Sequence, residues 1–320
     1  MLRSLIIYLS KADWMRHHVM GWKIARKVAL RFVAGERLED AIEVIRRLNS
    51  NSMNATLDQL GEDTHTADEA RKTTSDIINI LDEIEKSGVR SNLSIKLTQI
   101  GLALDERLCG ENLEKILSHA KQLSTFVRID MEGSDCIEGA FRLYRKMRHE
   151  SGYDNVGMVL QSYLYRSDED TQALLTDNTR IRMVKGAYKE PHDIAYPKKK
   201  DVDLYFDRLV KMMLEAARSE SSPGICVDGK WPPITAVATH DQKRIDYAIE
   251  TAKDLGVPKE KVEFQMLYGI RRDIQEDLVE RGYPVRIYVP YGIEWYPYFM
   301  RRLAERPANL WFFVSSFLRR

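Results

Sequence analysis

The chain has 320 residues, of which 44% are hydrophobic and 30% are charged, and 49 basic and 48 acidic side chains leave a formal net charge of +1. These values fit a medium-sized globular protein, and the balanced charge argues against a nucleic-acid-binding surface, so we expect no nucleic-acid partner. The cysteines Cys109, Cys136 and Cys226 are far apart and form no C-x-x-C pair. We therefore expect no structural metal site and a reducing, cytoplasmic location.

Residues 1–50 are expected to form a helical segment that precedes the catalytic domain. Residues 1–33 carry seven basic side chains and one acidic side chain, interleaved with apolar residues such as Trp14, Trp22 and Phe32. This pattern is typical of an amphipathic helix that lies peripherally on a membrane, here the inner face of the cell membrane. The alternative is a helix that packs across the protein core and exposes its charges to solvent.

Eight short apolar runs, rich in β-branched residues, each end on a polar residue and are each followed by an amphipathic helix. The runs are Asn54–Asp58, Leu93–Lys96, Phe126–Asp130, Val156–Gln161, Ile181–Lys185, Ile234–His240, Val262–Gln265 and Val285–Tyr288. Apolar strands that alternate with helices predict a parallel sheet covered by helices on its outer face. Eight such units predict an α/β fold, a single (βα)₈ TIM-type barrel over residues 51–320, with a C-terminal helix that closes the active site.

The helices that follow these strands are predicted from their periodicity. They span Thr66–Lys86, Glu111–Leu123, Glu138–His149, Asp168–Leu175, Val202–Ser219, Gln242–Leu255, Arg271–Glu280 and Trp295–Glu305. Gly88, Gly152, Gly256 and Gly282 stand where helices are expected to end in a left-handed residue. The segment Ser221–Pro233 is rich in glycine and proline, which predicts a long loop before the sixth strand.

In a barrel of this type the chemistry occurs at the C-terminal ends of the strands. The polar residues that close the runs therefore form a proposed active-site ring: Asp58, Lys96, Asp130, Gln161, Lys185, His240, Gln265 and Tyr288. Lys96, Asp130 and Lys185 are charged, and a charge at the end of an apolar strand is costly to bury unless it is paired. They predict a charged pocket, and the alternative is a set of solvated strand ends with ion pairs.

The last unit contains two adjacent arginines, Arg301 and Arg302, in the helix that follows strand eight. On a helix, Arg301 and Glu305 share a face, whereas Arg302 is turned about 100° away. Two guanidinium groups near a barrel mouth can bind a carboxylate through bidentate hydrogen bonds. The alternative is a pair of solvated surface arginines. No G-x-G-x-x-G or H-E-x-x-H motif occurs in the sequence, which argues against a Rossmann nucleotide site and a metal site.

Seven segments closely resemble the monofunctional bacterial proline dehydrogenases. They are Ser94–Leu97, Val127–Glu132, Leu160–Arg166, Arg182–Glu190, Ala238–Asp241, Phe264–Gly269 and Arg286–Asn309. They follow one another in the order that the barrel requires and together cover roughly residues 36–312. Two departures stand beside this resemblance, because the Arg-Ser pair of the family is replaced by Phe313–Phe317 and the loop 221–233 is longer than is usual.

The resemblance implies a barrel that binds FAD noncovalently and oxidises L-proline to Δ¹-pyrroline-5-carboxylate, the first step of proline catabolism to glutamate. It also implies hydride transfer from proline C5 to flavin N5, and a membrane quinone as the partner that accepts the electrons. Two other readings stay open, namely a different barrel lyase or hydrolase and a non-catalytic flavin-binding barrel. Flavin absorbance would exclude the first, and bleaching of the flavin by proline would exclude the second.

The resemblance also implies roles for individual side chains. Arg301 and Arg302 resemble the clamp for the substrate carboxylate, Lys96 and Glu305 an ion pair that closes the pocket, and Tyr288 the side chain against the proline ring. The catalytic residues beside substrate and flavin are Asp130 and Arg182, with Arg182 near the flavin N5 edge. The FAD contacts are Met131, Gln161, Arg182, Lys185, Gly186, Ala187, Thr239 and His240. Tyr188 and Tyr268 are further candidates for the pocket.

Overall fold

The structure, a computed structural model, describes residues 28–61 and 64–305, with side chains described up to Leu303. Eight parallel strands form one closed barrel in sequence order, and the last strand pairs with the first. The strands are β1 (Asn54–Gln59), β2 (Ser91–Ile95), β3 (Val127–Ile129), β4 (Val156–Gln161), β5 (Ile181–Val184), β6 (Thr235–Ala238), β7 (Val262–Leu267) and β8 (Val285–Tyr291). Every apolar run overlaps the strand it predicts, so the TIM-type barrel is confirmed.

Among the described residues from Leu38 onward, one α-helix precedes β1 and one follows each strand. The helices are α1 (Leu38–Ser50), α2 (Ala67–Ser87), α3 (Glu106–Gln122), α4 (Ser134–Arg145), α5 (Ser167–Thr176), α6 (Lys199–Ala217), α7 (Gln242–Asp254), α8 (Arg272–Glu280) and α9 (Trp295–Glu305). Helix α3 begins earlier than predicted, because the Asp105 side chain accepts hydrogen bonds from the backbone N–H groups of Arg107 and Leu108. Helix α4 also begins earlier, and its predicted last turn is a short π-helix, Lys146–Glu150.

Helix α2 shows how local sequence determines where a helix begins and ends. Thr66 accepts a hydrogen bond from the backbone N–H of Glu69, whose carboxylate accepts one from the backbone N–H of Thr66. This reciprocal capping satisfies donors that the first turn leaves without a partner. At the other end Gly88 has φ 63°, a left-handed conformation that costs glycine no steric strain. The three other predicted stop glycines also have positive φ, so these helix ends are confirmed.

The inner surface of the barrel is polar. Along β7 and β8 the residues Glu263, Gln265, Arg286 and Tyr288 alternate with apolar residues such as Phe264, which belong to the main hydrophobic core. Because side chains alternate between the two faces of a strand, the polar residues point to the barrel interior. The expectation that Gln265 and Tyr288 end their strands is wrong, since β7 and β8 continue beyond both residues.

The long loop before β6 lies across the N-terminal end of the barrel. The carbonyl of Lys230 accepts a hydrogen bond from Asn92 at the start of β2, and that of Gly229 accepts one from Arg286 near the start of β8. Gly229 has φ 67°, and a Cβ there would lie 2.3 Å from Asn54 Oδ1, so no larger residue fits without rearrangement. The loop therefore covers the end opposite to the strand ends that carry the predicted site.

The first described residues pack against the last helix. Val28, Ala29, Phe32 and Val33 form a second hydrophobic cluster with residues that follow β1, β7 and β8 or belong to α9: Leu60, Ile270, Trp295, Tyr296, Tyr298, Phe299, Met300 and Leu303. For residues 28–33 the alternative therefore holds in which this segment packs against the protein. Residues 1–27 and the stretch 313–317 lie outside the described residues. Within the described ranges, no helix is both long and apolar enough to cross a bilayer.

Candidate active site

A buried ion pair occupies the mouth of the barrel beside β1 and β2. Lys96, the residue after β2, donates a hydrogen bond to Asp58 Oδ1 over 2.7 Å, and its Nζ lies 3.6 Å from Asp130 Oδ2. The Asp58 side chain is 2% exposed and that of Lys96 is 22% exposed. Two carboxylates thus surround one ammonium group, an arrangement that keeps the lysine charged at a place where substrate can reach it.

Asp130 connects this ion pair to β5 and β8. Its Oδ2 accepts a hydrogen bond from the Tyr288 hydroxyl over 2.8 Å, and its Oδ1 accepts one from Arg182 Nη1 over 2.9 Å. Lys96 Nζ also donates to the Tyr288 oxygen over 3.3 Å, and the Arg182 guanidinium lies 5.4 Å from the centre of the Tyr288 ring. With Asp58, five side chains that lie in or directly after five different strands are therefore held in one hydrogen-bonded group.

Burial and neighbouring charge set the protonation states in this group. Burial raises the pKa of the Asp58 carboxyl, against the opposing effect of the Lys96 charge. Burial acts to lower the pKa of Lys96, but the charges of Asp58 and Asp130 outweigh it and the pKa is raised. Burial together with these two carboxylates also raises the pKa of Tyr288 far above its usual value. At neutral pH the group therefore offers a fixed cation at Lys96 and a hydroxyl that remains a proton donor.

Helix α9 carries the two arginines, and their environments differ. Arg301 is exposed, whereas Arg302 is buried with its guanidinium 4.9 Å from the centre of the Tyr298 ring. The side chain of Glu305 lies outside the described residues, so the predicted Lys96–Glu305 ion pair stays a prediction. The described carboxylate partners of Lys96 are Asp58 and Asp130.

A second charged cluster lies where β5 ends. Lys185 donates hydrogen bonds to Asp203 Oδ1 over 2.5 Å and to Asp241 Oδ2 over 2.7 Å. Asp241 also caps α7 by accepting from the backbone N–H of Lys243. Arg244, which lies 3.7 Å from Asp203, extends the cluster to one further carboxylate, Asp207, at 2.7 Å. The charged residues of the predicted ring therefore form two separate clusters. Lys185 pairs with Asp203 of α6 and with Asp241 at the start of α7, whereas Lys96 pairs with Asp58 and Asp130.

The remaining predicted cofactor contacts lie between these two clusters or beside them. Gln161, the last residue of β4, donates to the backbone carbonyls of Met131 and Glu132. His240 Nε2 accepts a hydrogen bond from the backbone N–H of Leu267, so this nitrogen is an acceptor and the ring is oriented. Gly186 has φ 111° and a Cβ there would lie 2.3 Å from the Tyr163 ring, so the loop after Lys185 can approach this closely only as glycine. Ala187, next in this loop, is exposed. In the loop after β6, Thr239 precedes His240, and its hydroxyl accepts from the backbone N–H of Asp241.

The structure also shows polar residues of the site that the sequence interpretation missed. Ser94 of β2 accepts from Arg182 Nη1 over 3.0 Å, beside Gln265 of the predicted ring, which accepts from Arg182 Nε over 2.5 Å. Gln265 in turn donates to Glu263, which pairs with Arg286. A signal for these residues was present, because polar residues alternate with apolar ones in β7 and β8, a pattern that predicts one polar face. No cluster of three metal-ligating side chains occurs in residues 28–61 and 64–305.

Comparison with known proteins shows which family this barrel represents. The family model described as proline dehydrogenase matches residues 41–315. The chain belongs to the proline dehydrogenase family. Proline dehydrogenase 2 of Bacillus subtilis (strain 168) is 38% identical over 97% of this chain and 96% of its own length. Proline dehydrogenase of Deinococcus radiodurans is 39% identical over 93% of this chain and 91% of its own length.

The fold of this chain is similar to part of the fold in solved structures of larger proteins named proline utilization A. A crystal structure of proline utilization A (PutA) from Bdellovibrio bacteriovorus, inactivated by N-propargylglycine, superposes with a TM-score of 0.77 at 24% sequence identity. The superposed region covers 88% of this chain and 33% of the PutA chain. At this identity the likeness supports the barrel and its order of strands and carries no statement about individual side chains.

Proposed function

We propose that the protein is an FAD-dependent proline dehydrogenase that oxidises L-proline to Δ¹-pyrroline-5-carboxylate, as a step in the breakdown of proline. The observation that carries this proposal is the group in which Asp130 joins Lys96, Arg182 and Tyr288 at the mouth of the barrel. Family membership narrows the reaction, because the relatives of similar length are named proline dehydrogenases.

The residues at the mouth suit a flavin dinucleotide. A cationic Lys185, the oriented ring of His240 and the hydroxyl of Thr239 lie on neighbouring strand ends, and donors of this kind suit a phosphorylated cofactor with polar ring edges. The residues that would hold FAD are Met131, Gln161, Arg182, Lys185, Gly186, Ala187, Thr239 and His240. When bound, FAD supplies the acceptor for a hydride from proline C5 at its N5 atom.

The substrate would be held by its carboxylate and by its ring. Arg301 and Arg302 on α9, with the Lys96 ammonium group, provide positive charge for the proline carboxylate, and Tyr288 presents its ring to the pyrrolidine. The secondary amine must be deprotonated before it reacts, because an ammonium has no lone pair to assist the loss of hydride from C5. Binding in one defined orientation lowers the barrier by making the reaction effectively intramolecular.

Arg182 and Asp130 are the catalytic residues of this proposal. Arg182 places positive charge where negative charge accumulates as the acceptor is reduced, and such preorganised charge can lower a barrier substantially. Asp130 holds Arg182 on one oxygen and Tyr288 on the other, so it fixes the cation and the ring together. Both groups thereby keep their positions without reorganisation during the reaction.

We also infer that the reduced enzyme passes its electrons to a membrane quinone and that the protein is cytoplasmic, with peripheral contact at the inner face of the membrane. The support is the basic, aromatic character of residues 1–33 and the apolar run 310–314, together with the missing dinucleotide fingerprint. A purified enzyme with L-proline should reduce a soluble quinone analogue and leave NAD unchanged. Reduction of NAD without a quinone would contradict this inference.

The decisive experiment is anaerobic addition of L-proline to the purified holoprotein while the flavin absorbance is recorded. Loss of the oxidised flavin absorbance with L-proline, and none with D-proline, is the expected result. A coloured protein that L-proline does not bleach would be a non-catalytic flavin-binding barrel. A protein purified without any flavin absorbance would instead favour a barrel lyase or hydrolase.

A further inference from the structure

A fully buried ion pair lies inside the barrel, below the proposed active site. Glu263 of β7 and Arg286 of β8 are both 0% exposed. Arg286 Nε lies 2.9 Å from Glu263 Oε1 and Nη2 lies 3.0 Å from Oε2, which is a bidentate pair. Arg286 also donates to the carbonyls of Ala55 and Gly229, so the guanidinium is anchored to β1 and to the loop that covers the N-terminal end.

Gln265 connects this ion pair to Arg182. Its Nε2 donates to Glu263 Oε1 over 2.5 Å, and its Oε1 accepts from Arg182 Nε over 2.5 Å. A carboxylate accepts hydrogen bonds but cannot donate them, so Glu263 fixes which end of the Gln265 amide faces it. The amide oxygen is then obliged to face Arg182. If residue 263 were an amide, it could also accept a flipped Gln265, although the flipped amide would turn its NH₂ group against the Nε–H donor of Arg182.

Arg182 is thus fixed by acceptors from three strands. Gln265 holds Nε, while Ser94 and Asp130 both accept from Nη1 over 3.0 and 2.9 Å. Because Gln265 bonds a different nitrogen from the other two acceptors, it controls the rotation of the guanidinium plane about the Asp130 contact. Arg286 neutralises Glu263, so the charge of Arg182 is not cancelled from below.

We propose that Glu263 is a positioning residue for the oxidation of L-proline, which acts through Gln265 to orient the Arg182 guanidinium. This inference rests on the proposed function, in which Arg182 stabilises negative charge on the reduced cofactor. The Glu263–Arg286 ion pair is held rigidly inside the barrel. Gln265 is hydrogen-bonded both to Glu263 and to Arg182, so the position of Glu263 helps to set the orientation of Arg182 at the mouth.

Two variants test the proposal in the holoenzyme. Glu263→Gln removes the carboxylate that orients Gln265, but it also leaves Arg286 buried without its counter-ion and can prevent folding. Gln265→Met removes the hydrogen bonds that join Glu263 to Arg182 and leaves the Glu263–Arg286 ion pair intact. It therefore tests the same series of hydrogen bonds without leaving a buried arginine unpaired. Arg128→Lys is the control, because Arg128 is 1% exposed inside the same barrel, its described hydrogen bonds go to the backbone carbonyls of Met158 and Arg180, and lysine keeps the charge that acts on Arg182 and Glu263.

The readouts are flavin content, the anaerobic rate of flavin reduction by L-proline, its dependence on proline concentration, and the flavin reduction potential. We expect Gln265→Met, and any folded Glu263→Gln, to slow the limiting rate about tenfold or more. The proline concentration for half-saturation should change less than about threefold, and the reduction potential should become more negative. Arg128→Lys should keep the wild-type limiting rate and potential, because the charge is retained.

Three results would overturn the proposal. The first is a wild-type limiting rate in Gln265→Met, and the second is an equal loss in Arg128→Lys, which would show a general effect of disturbing the interior. The third is an effect confined to proline affinity. Failure of the proposed function is distinguishable, because in that case L-proline would not bleach the flavin of the wild-type protein at all.

Discussion

Phe32 lies against Phe299 of α9 with the two ring centroids 6.4 Å apart and the ring planes at 39°. Both side chains are almost fully buried, so a residue that precedes the whole barrel packs on the helix that carries Arg301 and Arg302. Backbone hydrogen bonds support the contact, since Ala34 N–H donates to the carbonyl of Pro290 and Gly292 N–H donates to that of Gly35. The segment before the barrel therefore holds α9 in place.

Phe32→Ala should destabilise the protein and weaken substrate binding together. Truncation of a buried phenylalanine commonly costs about 3–5 kcal/mol, and a looser α9 would raise KM for L-proline by displacing the arginines. Leu30→Ala is the matched control, because Leu30 is two residues away and is 46% exposed. Denaturant unfolding and steady-state kinetics check this, and equal stability of the two variants would contradict the bracing role.

Deletion of residues 1–27 should separate membrane binding from packing. If the basic amphipathic segment binds lipid, the shortened protein should bind anionic vesicles more weakly while its activity with a soluble dye is unchanged. A deletion of residues 1–33 should in addition lower the melting temperature, since it removes Phe32 and Val33 from the cluster with α9. Vesicle binding equal to that of the full chain would exclude this segment as the lipid contact.

Lys96 and Asp58 should be strongly coupled. Asp58→Asn and Lys96→Met each leave a buried charge with an incomplete set of partners, at a cost of roughly 3–5 kcal/mol if the site is fully closed. The double variant should lose much less than the sum of the two single losses in kcat/KM. The matched cycle of Lys96→Met with Glu305→Gln tests the ion pair expected from the sequence, and simple additivity in either cycle would show that its two residues do not interact.

The sequence was sufficient for the barrel because its signals are local. Apolar runs and stop glycines such as Gly88 each act within a few residues, and every run overlaps a strand and every predicted stop glycine has a positive φ. The partners of Lys96 and Lys185 were not predictable in this way. Asp58 is 38 residues from Lys96 and Asp241 is 56 residues from Lys185, and only closure of the barrel brings them together.

The polar interior was missed for a different reason. Interpreting the strands as near-continuous apolar runs concealed the alternation that places Glu263 and Arg286 on the inner face. A charge in the middle of a strand is costly unless it has a partner, so two such residues on neighbouring strands were a usable signal for an internal ion pair. The position of Gln265 follows from the same alternation.

Asp207 should make stability depend on pH in the cluster around Lys185. Burial raises its pKa to about 6, although Arg244 at 2.7 Å opposes the shift. A carboxyl whose pKa is higher in the folded state than its ordinary value of 3.8 contributes most at low pH, and the contribution is lost as pH rises through about 6. The loss is at most about 3 kcal/mol, from roughly 1.4 kcal/mol for each pKa unit.

Urea unfolding of the wild type and Asp207→Asn at a series of pH values from 4 to 7.5 measures this. The stability of the Asn variant relative to wild type should rise with pH across this range. Asp273→Asn is the control of opposite sign, because Arg271 holds the pKa of the exposed Asp273 below its usual value. Parallel pH profiles for wild type and Asp207→Asn would show that Asp207 titrates normally.

Arg301→Lys and Arg302→Lys should both raise KM for L-proline, because lysine keeps the charge but lacks the planar fork that binds a carboxylate with two hydrogen bonds. A charge-assisted hydrogen bond contributes on the order of 1.5–3 kcal/mol, so the rise should be about ten- to a hundredfold. Substitution by Met should be worse, since it also removes the charge. Flavin content should be unchanged in all four variants.

The two positions should differ in stability, which separates binding from packing. Arg302 is buried with its guanidinium over the Tyr298 ring, so Arg302→Lys should also lower the melting temperature, whereas exposed Arg301 can be replaced without this loss. Carboxylate analogues of proline without the ring nitrogen should inhibit the wild type competitively and lose affinity in parallel with KM. If both variants kept KM and inhibitor binding within about twofold of wild type, the arginines would contribute too little free energy to be the carboxylate clamp. Loss of FAD from the Lys variants would instead show that the arginines stabilise the cofactor site and not the substrate.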